Sequence, residues 1–486
     1  MNSARRPPEV TLPHGGRLRG TWSGDVRVFR GVRYARAPIG ELRFEAPVAE
    51  PPWRGLRQAT AFGPAFLQWP RDADAASGPL GSEDALSLNI WASEVPPGAH
   101  LPVMVWVHGG GYFRGAASNP LYDGASFARQ GLVFVSIQYR LGVDGFAHLP
   151  PAPANRGLLD QLAALHWVQD FICSWGGDPG QVTVFGQSAG AGALVCLMGM
   201  PASHGLFHRA ILQSPSIACQ DIDEATAACK AIAALAGIAP TREAMAAAPN
   251  GSLLQAVHRL ASDARLRKAH GLNSRNFFPL RPVIDGQWLQ APPLDALARE
   301  WQAHRTSLQI LVGHNAEEMR LYHVPDGALE RLTQADLEDF VRDAGLAMPG
   351  GTESPAAQLC ALQSRYYYGD PARRLAELAT AHRGSTHRYL FAWRSPQYRG
   401  QLGAAHGVEL PFVFEGLQTA MGREFTGNAA PRELAHQMHK AWGRFAREGN
   451  PGWPAHTSER PWLQIFDSPS GNVTPPPQGQ KSLMSI

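Results

Sequence analysis

The segment Gly186-Gln187-Ser188-Ala189-Gly190 has the form G-x-S-x-G. A serine flanked in this way fits a sharp turn between a strand and a helix, because glycine lacks the Cβ atoms that would clash there. The hydroxyl then projects as a nucleophile, and the positive end of the following helix faces the site. Composition alone would produce the pattern about 0.2 times in a chain this long, so its context has to carry the reading. The context agrees: Val182 to Phe185 reads as a buried strand and Ala189 to about Gly199 as a helix.

A second glycine cluster, Val107-His108-Gly109-Gly110-Gly111-Tyr112, follows another strand-like run. Consecutive glycines let the backbone approach a ligand and aim N–H groups at it. The N–H groups of Gly110, Gly111 and Ala189 form a candidate oxyanion hole, where one donor is worth about 3–4 kcal/mol in a transition state. A phosphate loop would need a downstream Gly-Lys-Ser/Thr, which this segment lacks.

Serine is a poor nucleophile at neutral pH and needs a base, which in turn needs an orienting carboxylate. Where the nucleophile lies on such a turn, the chain order is serine, acid, histidine. Glu317 and Glu318 both follow the apolar run Leu308 to Val312. Downstream, His382, His387 and His406 could each be the base, and spacing alone leaves these choices open.

The elements that must position these groups are short apolar runs alternating with longer helical patterns. Val103 to Val107, Leu132 to Ile137 and Val182 to Phe185 read as strands, as do Ala210 to Leu212, Leu308 to Val312 and Arg388 to Trp393. Leu158 to Trp175 has helical apolar spacing. Such alternation predicts an α/β fold: a mainly parallel central sheet with helices on both faces and sizeable insertions. Sites in these sheets form beyond the carboxyl ends of the strands, which is where both glycine clusters fall. A single domain is expected over residues 10–472, with loose termini at 1–9 and 473–486.

Composition narrows the partners. The 486 residues carry 44 Lys+Arg against 41 Asp+Glu, with no block of five like charges. That argues against nucleic acid. No run reaches the roughly 18 apolar residues of a membrane span, and no apolar segment follows the two N-terminal arginines as in a secretory signal. The expectation is a cytoplasmic enzyme, a monomer or small homo-oligomer, acting on a small neutral substrate with no metal or organic cofactor. Five cysteines match no zinc spacing, and a reduced state is expected, with Cys219 and Cys229 close enough to raise the question of a bridge.

Taken together, the residues resemble the type-B carboxylesterase family, which includes cholinesterases and bacterial p-nitrobenzyl esterases. The resemblance runs over roughly residues 12–468. It rests on Phe29-Arg-Gly-Val-Arg-Tyr-Ala, Ser82-Glu-Asp-Ala-Leu-Ser-Leu-Asn89, the His-Gly-Gly-Gly run, Asn155-Arg-Gly-Leu-Leu-Asp-Gln, Gly186-Gln-Ser-Ala-Gly and His406-Gly-Val-Glu-Leu-Pro-Phe, among others. It implies the α/β-hydrolase fold and serine-dependent ester hydrolysis through an acyl-enzyme. Related acyl bonds (thioester, amide, carbamate) are the alternative, and a non-catalytic interaction domain is a remoter one. The resemblance also implies Glu318 as the acid, His406 as the base, Ser214 and Gln187 as supporting residues, and Phe278 as a possible acyl-pocket wall. Arg43 with Glu83, and Arg140 with Asp160, match the family's ion pairs.

The chain departs from that pattern at several positions. A usual cysteine is Ala85, and its usual partner position carries Phe66. The absence of both fits a reducing compartment. Gln187 replaces a glutamate, Met319 replaces a glycine, and Asn276 stands where an acyl-pocket aromatic is usual. The loss of charge at Gln187 argues against quaternary ammonium substrates.

Overall fold

The computed structural model describes residues 5–70, 79–96, 98–272, 277–304, 308–382 and 384–467. Asn276, residues 1–4 and the 473–486 tail lie outside them. The chain divides into two compact units, Met1–Arg209 with Ala218–His304, and Ala210–Ile217 with Arg305–Ile486.

The first unit is built on β1 (Thr21–Ser23), β2 (Val26–Arg33), β3 (Ser87–Ser93), β4 (Leu101–Val107), β5 (Val133–Ile137) and β6 (Gly177–Gln187), in the order β6-β4-β5-β3-β2-β1. β4 is parallel to β5 and to β6, while β1, β2 and β3 join antiparallel. Val103, Met104, Val105 and Trp106 of β4 are all fully buried, as are Val133, Phe134 and Val135 of β5. Burial on both faces explains why these runs are apolar throughout rather than alternating. The antiparallel pairs are confined to this edge, within the mainly parallel sheet expected; β1 and β2 are joined by a two-residue turn too short for a parallel crossover.

Helix α1 (Arg156–Phe171) stops four residues short of the sequence expectation. Ile172–Trp175 tightens into a 3₁₀ turn closed by Gly176 at φ 83°, a conformation that favours glycine. Helix α2 (Ala189–Met198) follows β6 directly. Arg140 and Asp160 form a buried pair at 2.7 Å. Arg43 pairs with Glu83 at 3.7 Å, as the resemblance implies, and more closely with Asp144 at 2.9 Å, which presents both oxygens to the guanidinium.

The second unit contains β7 (Arg209–Gln213, all but its first residue), β8 (Gln309–Asn315), β9 (Thr386–Phe391) and β10 (Gln464–Phe466), neighbours in that order. β8–β9 and β9–β10 are parallel. Helix α3 (Asp370–Ala381) precedes β9, and α4 (Arg432–Glu448) places Trp442 against Tyr389 of β9 at 5.0 Å between ring centroids.

All five cysteines are unpaired, so Cys219 and Cys229 do not bridge. Ala85 and Phe66 are both buried, so apolar side chains fill the positions of the missing bridge. Among the described residues, no helix is long and apolar enough to cross a membrane, and no cluster of His, Cys, Asp and Glu could hold a metal ion.

Candidate active site

In the first unit the chain leaves β6 and turns into α2 at Ser188, whose φ of 59° and ψ of −125° lie outside the ordinary regions for an L-residue. The two flanking glycines are required by close backbone approach. A Cβ on Gly190 would lie 2.2 Å from the Val107 carbonyl oxygen, and one on Gly186 would lie 2.9 Å from the same atom. The end of β4 therefore packs directly against the turn.

That strand end continues into the glycine loop. A Cβ on Gly109 would stand 3.0 Å from the Cβ of Ser188 and 2.9 Å from the side-chain oxygen of Gln187. Gly110 and Gly111 both have positive φ, 117° and 63°. Among the described residues, the N–H groups of Gly110, Gly111 and Ala189 have no hydrogen-bond acceptor. Gly111 and Ala189 are buried, and buried amide donors without a partner are rare in folded proteins and mark places where a ligand is expected. Phe278 borders the same loop: a Cβ on Gly111 would meet its ring at 2.6 Å, and its centroid is 5.9 Å from that of Phe113.

His108 braces this loop and does not act as an acid or base. Its Nδ1 bonds the Gly109 carbonyl at 2.8 Å, and its ring stacks on Tyr139 at 4.5 Å. Burial pushes its pKa down to about 4, so it is neutral at physiological pH.

In the second unit the two adjacent carboxylates after β8 part company. Glu317 turns outward to Arg320 at 2.9 Å and Arg394 at 2.5 Å. Glu318 is fully buried. Its Oε1 accepts from the Ser214 hydroxyl at 2.6 Å and from the Asn315 N–H at 2.7 Å, and its Oε2 lies 2.5 Å from His406 Nδ1. Three donors thus converge on one carboxylate, which fixes its orientation and that of the imidazole. Of the other candidate bases, His382 caps a helix end through the Leu378 carbonyl. His387 packs edge-on to Phe445 and Trp453, and burial lowers its pKa to about 4. Met319 is buried, and its N–H donates to Ser364 at 3.0 Å, so the residue replacing the family's glycine serves as packing.

Sequence reasoning missed two neighbours. The Tyr368 ring lies 4.5 Å from that of His406, presented by a π-helical turn, Arg365–Gly369. Such turns often occur at functional sites. Glu409, three residues after His406, is fully buried and accepts from Asn315 Nδ2 at 2.6 Å and Gln213 Nε2 at 3.1 Å. Its place in the run His-Gly-Val-Glu was the available signal.

Burial, and secondarily the nearby charge of Glu318, raise the Glu409 pKa from 4.5 to about 7. The folded protein therefore holds a proton there that the unfolded chain releases near pH 4.5. Its contribution is present at low pH and is lost as pH rises through the folded pKa. We expect the unfolding free energy of wild type, minus that of Glu409→Gln, to fall by on the order of 2–3 kcal/mol between pH 4.5 and 7. Urea titrations across that range measure it; a difference that is flat or rises with pH contradicts the assignment.

Comparison with known proteins places the chain in a class. The chain matches the Carboxylesterase family over residues 6–475. It is 35% identical over 495 residues to the para-nitrobenzyl esterase of Bacillus subtilis, covering 95% of each chain. It is 33% identical to a fumonisin B1 esterase of Sphingopyxis macrogoltabida, covering 96% of this chain and 88% of that one. The crystal structure of a Geobacillus stearothermophilus carboxylesterase superposes with a TM-score of 0.83 at 33% identity, over 98% of this chain and 99% of that one. The protein belongs to the carboxylesterase family and has its α/β-hydrolase fold. It is a carboxylic ester hydrolase.

Proposed function

We propose that this esterase works through Ser188 as nucleophile, His406 as general base and Glu318 as the carboxylate behind the base, within one hydrolase domain spanning residues 10–472. The observation that carries the reading is the 2.5 Å contact between Glu318 Oε2 and His406 Nδ1. It fixes the proton on Nδ1 and leaves Nε2 as the basic face. His406 takes the Ser188 proton as the hydroxyl attacks the ester carbonyl. The N–H groups of Gly110, Gly111 and Ala189 receive the negative oxygen. His406 then returns the proton to the departing alcohol, and water cleaves the acyl-enzyme with His406 again as base. Ser214 and Gln187 are positioning residues, one through Glu318 and the other through the glycine loop. Thioester, amide and carbamate bonds would pass through the same steps.

Phe278, beside the glycine loop, is the proposed acyl-pocket wall. Phe278→Ala is expected to raise kcat/KM for p-nitrophenyl octanoate relative to the acetate by about 10-fold. An unchanged ratio removes Phe278 from the pocket. The unpaired thiols, one of them the exposed Cys173, support a reducing, cytoplasmic setting. We read the partner as a small ester, with the enzyme a monomer or small homo-oligomer.

Competition by methanol tests the acyl-enzyme. With the p-nitrophenyl and phenyl esters of one acid, the ratio of methyl ester to free acid should be the same, because both leaving groups yield one intermediate. A ratio that changes with the leaving group rules that intermediate out.

A further inference from the structure

The second unit holds a cavity of about 670 Å³, lined by none of the residues proposed for the ester site and bounded by α3, β9 and the segment around His456–Pro461. Three guanidinium groups line it, Arg365, Arg373 and Arg388, against two carboxylates, Asp370 and Glu377. The carboxylates are already engaged. Arg373 binds Glu377 at 2.7 Å, and Asp370 sits between Arg373 at 3.5 Å and Arg365 at 3.6 Å. Arg388 is left over. It projects from the interior of β9, and among the described residues its side chain has no hydrogen bond and no ion pair. Loss of solvent pushes its pKa below the ordinary arginine value, with Glu377 acting only through space.

A half-buried guanidinium that makes no hydrogen bond and no ion pair is available to an anion, which its planar fork can grip with two hydrogen bonds. The remaining lining suits an oxyanion. The Thr457 hydroxyl oxygen already accepts from the Arg460 N–H at 2.9 Å, which leaves its hydrogen to donate outward. Ser458 adds a second hydroxyl. Two guanidinium hydrogen bonds and two hydroxyl donors suit the several oxygens of a phosphate group. His456 does not supply the charge: its Nδ1 faces the Trp462 carbonyl at 3.2 Å, and burial and Arg388 lower its pKa.

From this cluster we infer that the cavity around Arg388 is a binding site for a phosphate group, separate from the ester site, with Arg388 as its anchor. Inorganic phosphate is the probe, titrated calorimetrically into the full-length protein against sodium chloride of equal ionic strength. Wild type should bind phosphate saturably, acetate should bind at least 5-fold more weakly, and Arg388→Gln should weaken phosphate at least 10-fold. Arg388→Gln should also keep wild-type esterase turnover and thermal stability, since Arg388 makes no hydrogen bond or ion pair for the substitution to break, and phosphate should not compete with p-nitrophenyl acetate. Equal phosphate binding by wild type and Arg388→Gln overturns the site. So does a wild-type response no greater than that to chloride. Competition with the ester assigns the phosphate to the ester site and overturns the proposal, and equal acetate binding overturns the phosphate class. None of these results bears on Ser188, so failure here leaves the esterase assignment standing.

Discussion

Replacing Ser188 by alanine lowers kcat for p-nitrophenyl acetate by about 10⁵–10⁶-fold, with stability little changed. Alanine keeps the backbone turn but removes the only atom proposed to bond the acyl carbon. What remains is the oxyanion donors and ester binding, which together sustain a residual rate about 10³–10⁴ above water. The loss should appear in kcat and kcat/KM together, because the missing bond forms only along the reaction path. Near wild-type turnover in the purified variant would refute the nucleophile assignment.

Glu318→Gln should cost about 10⁴-fold, for a reason the hydrogen bonds make specific. Oε1 of Glu318 receives two donors, the Ser214 hydroxyl and the Asn315 N–H. A glutamine placed there must turn its oxygen toward them, which aims its NH₂ at His406 Nδ1. The imidazole must then accept at Nδ1 and carry its proton on Nε2, so it cannot take the Ser188 proton. Steady-state kinetics of the single and double variants check this. Adding Glu318→Gln to Ser188→Ala should lower the rate little further, because the base has no hydroxyl left to serve. A Glu318→Gln variant within 10-fold of wild type would show that the carboxylate does not set the tautomer.

The parts of the site that were legible in the sequence are those set by backbone constraint. Gly186 and Gly190 are demanded by a carbonyl of the neighbouring strand, so the turn leaves a mark wherever it occurs. The His-Gly-Gly-Gly loop is marked for the same reason. Central strands such as Val103 to Val107 were legible because burial on both faces leaves an unbroken apolar run. Spacing could not choose between Glu317 and Glu318, because adjacent side chains on a turn point in different directions and only tertiary partners decide which is buried. Arg394 and Arg320 draw Glu317 outward, while Ser214, 104 residues from Glu318 in sequence, helps hold Glu318 inside. Glu409 and Tyr368 were illegible for a related reason: their partners Gln213 and His406 lie 196 and 38 residues away, and no local pattern records such contacts. The antiparallel edge was missed because β1 has only three residues and a register shift between Phe29 and Val32 breaks the alternation of β2.

Peptide mapping by mass spectrometry after reaction with a fluorophosphonate tests the central claim most directly, since the reagent phosphonylates a serine only where the hydroxyl is activated. The account predicts one adduct per chain, on Ser188, appearing in step with loss of esterase activity and absent from the Ser188→Ala variant. An adduct on another residue that tracks inactivation, with Ser188 unmodified, would contradict it.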